Sequence, residues 1–291
     1  MHPSDDFDPD HQQPLPFPAA VNYARTVMGW AQAPLPPGIR VRQGLAYGSH
    51  RLQVLDVYAP PDAHNAPVLV FWHGGGWTNG YRDYVRFMAP VVTGLGMVLV
   101  APGYRLVPEH RMPAPVDDAL AALAHVHRHA ASWGGNPGHL LLSGHSAGGH
   151  LATLTALRAA DRQAAGVPDA AIAGCLPISG IMDLHHPQPV AGSLEERVYT
   201  LVLPEGQAHL DAVFSPLSWA AGNRLNVVLT WGSLDSERVR LSNQRLASLL
   251  ALQPGAVGTL CLEGADHFAT HTDLRDPAHP WYVALSRHLA A

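Results

Sequence analysis

Ser146 stands in Gly144-His145-Ser146-Ala147-Gly148, a serine flanked by glycines in the pattern G-x-S-x-G. The apolar run Leu140-Leu141-Leu142 precedes it, and a helix-like segment, Ala147–Ala160, follows. In that context the pattern describes a sharp strand-to-helix turn that holds a serine in a strained conformation with its Oγ clear of the sheet. Glycines are needed on both sides because neighbouring backbones pass too close for a Cβ, and the positive end of the following helix favours developing negative charge. The chemistry such a serine can perform is attack on a carbonyl, through a covalent acyl-enzyme.

That chemistry requires oxyanion donors, a base, and an acid to orient the base. The donors are sought in His73-Gly74-Gly75-Gly76-Trp77, directly after the apolar run Val68–Trp72. Consecutive glycines can turn backbone N–H groups toward one point, and those of Gly75 and Gly76 would complete an oxyanion hole with that of Ala147. Neither glycine pattern of a phosphate-binding loop is present. Trp77, next to these glycines, reads either as a wall of the acyl pocket or as a core residue. Further on, Gly232-Ser233-Leu234-Asp235 follows the run Asn226–Trp231, and Asp235 is expected to be the acid ahead of Glu237, a step into the next helix. His267 follows the last apolar run, Thr259–Leu262, and is expected to be the base. Its Nε2 would accept the Ser146 proton while Asp235 fixes the tautomer through Nδ1. The chain order serine, acid, histidine fits a serine on such a strand-to-helix turn.

A different chemistry is suggested by His267, His271 and Asp273, whose spacing could ligate a divalent metal. That reading leaves the serine turn and the glycine loop unexplained, and Phe268 occupies the position a zinc-protease glutamate would need. No metal and no cofactor are expected. The 19 histidines lie mostly in polar company, and the alternating His125, His127 and His129 would point to different faces of a helix.

The elements that must position these residues show in the hydrophobic texture. Short apolar runs at Val68–Trp72, Met97–Ala101, Leu140–Ser143, Gly174–Ile178, Asn226–Trp231 and Thr259–Leu262 alternate with helix-like segments near Tyr81–Thr93, Pro115–Ser132, Ala147–Ala160, Glu237–Leu252 and Pro280–Leu289. Fully apolar strands alternating with helices predict a parallel sheet covered on both faces. Leu45–Tyr47 and Leu52–Tyr58 read as a hairpin turning at Gly48-Ser49-His50, the second strand alternating with Leu52, Val54 and Val57 inward. An amphipathic piece, Pro18–Gln32, follows a Pro- and Asp-rich start, and Asp183–Asn223 interrupts the strand–helix rhythm where a cap would contribute to a pocket. Arg105, Glu109 and Asp117 or Asp118 are expected to brace the loop beside the oxyanion glycines through ion pairs.

Bulk properties exclude other classes. The chain of 291 residues is 47% hydrophobic and 14% charged, so it can bury a large core without disulfide or metal. A net charge of −5 with no Lys/Arg run argues against nucleic acid or an anionic membrane as a partner. Cys175 and Cys261 each fall in an apolar run and read as buried, reduced thiols. The stretch Met1–Pro18 lacks the apolar core of a signal peptide, and no run of about 20 apolar residues spans a membrane, which makes a cytoplasmic location the default.

At this point the residues resemble a known group. His73-Gly74-Gly75-Gly76, Tyr104-Arg105-Leu106 with Pro108-Glu109-His110, and Gly144-x-Ser146-Ala147-Gly148-Gly149 resemble the hormone-sensitive-lipase-like branch of the α/β-hydrolases. Trp77, His145, His150, Ser179-Gly180-Ile181-Met182-Asp183-Leu184 and Asp266-His267-Phe268 are similar to its kynurenine formamidase (arylformamidase) neighbours. The three-glycine loop is more typical of the esterases. The resemblance spans roughly residues 50 to 290 and places catalytic roles on Ser146, Asp235 and His267 and an oxyanion hole on Gly75, Gly76 and Ala147. It implies an α/β-hydrolase fold: an eight-stranded, mostly parallel sheet with helices on both faces and a small cap. Residues 1–40 would form an N-terminal arm or cap, and residues 41–291 the catalytic domain with a cap insertion at about 183–223. The implied activity is hydrolysis of an N-formyl aryl amide such as N-formylkynurenine, with a short-chain carboxylic ester as the alternative. A non-catalytic small-molecule binder on the same fold would be expected to lack a triad member. The partners expected are a small-molecule substrate and, left open, a second copy in a homodimer.

Overall fold

The structure, a computed structural model, describes residues 12–289. Among them, eight strands form one sheet: β1 (Arg40–Ala46), β2 (Val54–Ala59), β3 (Ala66–Trp72), β4 (Val98–Pro102), β5 (Gly135–Gly144), β6 (Ile172–Cys175), β7 (Val227–Gly232) and β8 (Val257–Leu262), in the order β1-β2-β4-β3-β5-β6-β7-β8. β1 and β2 form an antiparallel hairpin, β2 runs antiparallel to β4, and the pairs from β4 to β8 are parallel. This is the mostly parallel α/β sheet expected from the strand–helix rhythm.

Alternation along the central strands sorts the core into two layers. Val68, Val70 and Trp72 face one cluster, Leu69 and Phe71 the other. The first layer is covered by α3 (Ala114–His129), α4 (Ala147–Leu157), which α5 (Ala159–Ala164) continues, and α7 (Glu237–Leu250); the second by α1 (Pro18–Ala31), the 3-10 turn Arg82–Met88 with α2 (Ala89–Gly94), and α9 (Pro280–Ser286), while α8 (Ala269–Thr272) follows the His267 loop. Every residue of α4 is buried, its polar members included: His150 Nε2 donates to the Phe214 carbonyl and Thr153 Oγ1 to the Gly149 carbonyl.

Several expectations require correction. The second strand does not alternate: Leu55 through Ala59 are all buried, because β2 lies inside the sheet edge with helices over both faces. Its buried Asp56 is paired with Arg82 at 2.8 Å. The run Gly174–Ile178 is a strand only to Cys175; Pro177 has no N–H to donate, and the chain continues through single bridges from Ile178 to His145 and Thr230. Cys261 is exposed whereas Cys175 is buried. β8 ends the sheet, so one of its faces lacks the cover that a central strand receives. In the Tyr104–Ala114 loop, Arg105 pairs with Asp118 at 2.7 Å, which also accepts the Arg105 backbone N–H.

The segment 183–223 folds as short turns: α6 (Leu194–Arg197) running into a π turn at Val198–Val202, then 3-10 turns at Ala208–Asp211 and Pro216–Trp219. Val202, Leu203 and Phe214 anchor it in the core, and the Met112 N–H and Arg111 guanidinium bond to its Val202 and Leu203 carbonyls. The acidic start of the chain lies, through residue 11, outside the described residues. Gln12 to Phe17 lie against the domain: the Gln12 amide exchanges two 3.0 Å hydrogen bonds with the Gly80 backbone.

Candidate active site

Register explains why the candidate residues meet. Trp72 at the end of β3 pairs with Gly144 at the end of β5, so the chains leave the two strands side by side at His73 and His145. β7 and β8 run parallel to them and deliver the loops carrying Asp235 and His267 to the same edge. Ligand crevices of open α/β sheets form outside these carboxyl ends.

Ser146 occupies the turn into α4 with φ 54° and ψ −117°, a conformation a residue with a Cβ adopts only under constraint. The constraint is visible in its glycines. A Cβ on Gly148 would lie 2.0 Å from the Trp72 carbonyl oxygen, and one on Gly144 2.4 Å from the Gly148 carbonyl carbon. Only glycine permits the crossing that raises the serine.

Ser146 Oγ is 2.9 Å from His267 Nε2, and His267 Nδ1 is 2.6 Å from Asp235 Oδ1. A carboxylate accepts, so His267 Nδ1 carries the hydrogen and Nε2 is free to accept from the serine. Asp235 is buried. Its second oxygen accepts from Ser179 Oγ at 2.6 Å and from the Gly232 N–H at 2.9 Å. Burial pushes its pKa up, but the hydrogen bond and charge of His267, with Ser179 and Gly232, more than offset this and hold it below the ordinary aspartate value. A hydroxyl, imidazole and carboxylate in this order can draw the serine proton onto the imidazole as the oxygen attacks.

The glycine loop lies directly above. Gly75 and Gly76 take φ of 128° and 61°. The Gly75 carbonyl accepts from the N–H groups of Thr78 and Asn79, which turns the loop away from the strand line. Ala147 is the first residue of α4, where an N–H has no intrahelical partner. Among the described residues, no acceptor within hydrogen-bond range takes the N–H groups of Gly75, Gly76 or Ala147. The loop is held from behind by Tyr104, which stacks on His73 with ring centroids 4.4 Å apart and donates to the His73 carbonyl at 3.0 Å.

Gly75, Gly76, Trp77, Ser146 and His267 line one cavity of about 240 Å³. Trp77 is both things its sequence position allowed, a cavity wall and a buried residue at 2% exposure, and it holds φ 60°. Leu15, Phe17 and Tyr23 line the cavity from the N-terminal segment, and Leu194, Val198 and Val202 from the segment 183–223.

His271 and Asp273 do not join His267 in a metal cage. His271 is fully buried, its Nδ1 2.8 Å from Tyr23 Oη and its ring stacked on His145 at 4.9 Å. Among the described residues, no three His, Cys, Asp or Glu side chains are placed to hold a metal ion. Burial depresses the pKa of several histidines here: His271 to about 3, His73 and His150 to about 4, and His145 well below its ordinary value.

Several parts of the site carry no motif of their own. Ser179 lies in a family-like string, and the signal for its role is that a buried Asp235 needs a donor for its second oxygen. Tyr104 as a brace, and the docking of Gln12 on Gly80, carried no local signal, because each depends on contacts across the sheet edge.

A protein family described as an alpha/beta hydrolase fold matches residues 69–251, more than half of the chain. Carboxylesterase NlhH of Mycobacterium tuberculosis is 37% identical over 155 residues, which cover 51% of this chain and 49% of that protein. The chain thus spans about half the length of this relative, and 28% of another curated relative, the carboxylic ester hydrolase LipN of the same organism. Among solved structures, EstE1, a carboxylesterase from a metagenomic library, superposes with a TM-score of 0.75 at 20% identity over 93% of this chain and 95% of that one. A bacterial heroin esterase superposes with a TM-score of 0.76 at 23% identity over 96% and 93% of the two chains. At these identities the likeness of structures is one of fold.

Proposed function

Because the chain belongs to the α/β-hydrolase fold family, we propose that it is a serine hydrolase that cleaves small carboxylic esters through an acyl-enzyme. The observation that carries this reading is the hydrogen-bonded line from Ser146 Oγ through His267 to Asp235, opening into the cavity beneath the glycine loop. Ser146 Oγ attacks the ester carbonyl carbon as His267 Nε2 takes its proton. The carbonyl oxygen becomes an oxyanion facing the N–H groups of Gly75, Gly76 and Ala147, each worth a few kcal/mol in the transition state. His267 then gives the proton to the departing alkoxide, leaving an acyl ester on Ser146 and a free alcohol. Water repeats the sequence: His267 takes its proton, the hydroxide adds to the acyl carbon, and the acid leaves as Ser146 regains its hydrogen.

The relatives with related sequences are named as esterases, and this favours the ester over the N-formyl aryl amide expected from the family-like strings around Trp77 and His145. The cavity, a little smaller than the roughly 300–1,000 Å³ of common ligand sites, and its mostly apolar walls support a short acyl chain.

An acyl series separates the two substrates. A roomy apolar acyl site gains about 0.8 kcal/mol per buried methylene, close to fourfold in kcat/KM. With p-nitrophenyl esters we expect kcat/KM to rise from acetyl and peak by hexanoyl, with N-formylkynurenine turned over slowly or not at all. A steady fall from formyl to butyryl together with rapid hydrolysis of N-formylkynurenine would make the protein a formamidase. Failure on every member would remove the hydrolase reading.

A further inference from the structure

Most of the wall of the cavity beside Ser146 is apolar, and the segment Leu194–Arg197 and the start of α7 bring three charged side chains to it: Glu195, Arg197 and Arg238. That is one acid against two guanidiniums, in a protein whose own net charge is −5. Arg238 is only loosely satisfied. Glu195 stands 3.5 Å away, the Asp183 and Leu184 carbonyls accept at 3.3 and 3.2 Å, and its buried Nε has no partner among the described residues. Burial lowers its pKa, and Glu195 and Asp183 restore only part of the difference. Arg197 is half-buried, and no acceptor among the described residues pairs with its guanidinium. Positive charge in an apolar wall is costly unless an anion meets it, and a planar guanidinium fits the two oxygens of a carboxylate. Glu195 and Arg238 also line a second, open hollow with Asp183, His185, Glu237 and Arg245, so the two hollows share these charged side chains.

We propose that the cavity takes a substrate bearing one carboxylate, held between Arg197 and Arg238 while the scissile ester lies at Ser146. The proposal deepens the ester-hydrolase reading and rests on it for the chemistry at Ser146; the anion site itself can be tested without turnover.

The probes are 4-acetoxybenzoate and its methyl ester, which present the same acetyl carbonyl with and without the charge. Intrinsic reactivity slightly favours the methyl ester, so a preference for the acid must come from the protein. We expect kcat/KM at low ionic strength to be about tenfold or more higher for 4-acetoxybenzoate, the scale of one charge-assisted hydrogen bond. The ratio should fall toward one with added salt and in Arg197→Gln and Arg238→Gln; Arg238→Lys, which keeps the charge, should retain part of it and serves where the glutamine variant does not fold. Calorimetry with Ser146→Ala, which binds without turnover, should show the same preference and its loss on adding Arg197→Gln. Equal or better use of the methyl ester, or a ratio untouched by both arginine substitutions, overturns the proposal while leaving ester hydrolysis standing. Arg197-dependent binding of 4-acetoxybenzoate to Ser146→Ala without hydrolysis of either ester by the wild type would do the reverse.

Discussion

His145 Nε2 lies 2.7 Å from the main-chain carbonyl oxygen of His267. A carbonyl only accepts, so the residue immediately before Ser146 donates to the backbone of the residue whose imidazole faces that serine. The two loops are thereby fixed to one another from beneath the site, and the ring of His145 is stacked on His271 below. His145→Phe, which keeps a ring and loses the donor, should lower kcat by about ten- to a hundredfold, the range of one buried hydrogen bond. KM should change little, and His145→Gln, which keeps an N–H, should recover part of the loss. Equal kcat in the phenylalanine variant would show that the contact does not position His267.

Ser146→Ala should reduce ester turnover by roughly three or more orders of magnitude with the fold intact by circular dichroism. A phosphonate ester should label the wild-type protein once, at Ser146, as read by peptide mass spectrometry. A variant retaining a tenth of the activity would displace Ser146 as nucleophile.

Asp235→Asn should cost about three to four orders of magnitude in kcat at pH 7, because an amide cannot hold the Nδ1–H tautomer of His267. Ser179→Ala removes only the 2.6 Å donor to the far oxygen of Asp235. It should cost about tenfold, and raise the Asp235 pKa, since one of the bonds that lower it is gone. Carbon-13 NMR of the Asp235 carboxyl should show its titration moved to higher pH in Ser179→Ala; an unmoved titration would argue against the role of Ser179.

Acid should destabilise the fold early. His271 is held at about 3, and His73 and His150 at about 4, against an unfolded value near 6.5. Between those limits the unfolded chain binds more protons, so stability falls as pH drops below about 6.5. Each such histidine costs about 1.4 kcal/mol per unit, and three cost about 4 kcal/mol by pH 5.5, a large part of an ordinary domain's stability. Asp83, raised to about 6 chiefly by burial, works in the opposite sense below that pH, as do Asp56 and Asp117, which burial also raises; His145, depressed by burial, adds to the three histidines. Urea midpoints should fall steeply from pH 7 to 5, and His271→Asn should flatten the slope by about one proton. A flat profile would contradict burial of these rings in neutral form.

Prolonged EDTA treatment should leave the ester rate unchanged, since the line from Asp235 to Ser146 needs no metal to activate the hydroxyl. Loss of activity restored by zinc or manganese would overturn the serine mechanism.

The amino-acid sequence by itself determined the parallel sheet, the strand-to-helix turn at Ser146, the glycine loop and the order of Ser146, Asp235 and His267. These are local: unbroken apolar runs have nowhere to go but a covered sheet, and Gly144 and Gly148 are required wherever strand and helix cross this closely. What only the tertiary structure decided depends on which strand lies beside which. The register of Trp72 against Gly144 sets His73 beside His145; the terminal place of β8 leaves Cys261 exposed; and the inner place of β2 buries Asp56 on Arg82. Ser179 and Asp235 are 56 residues apart in the chain and meet only because β6 and β7 are neighbours. Arg197 and Arg238 come from α6 and from α7, and a pattern read along the chain does not show the cavity wall they share.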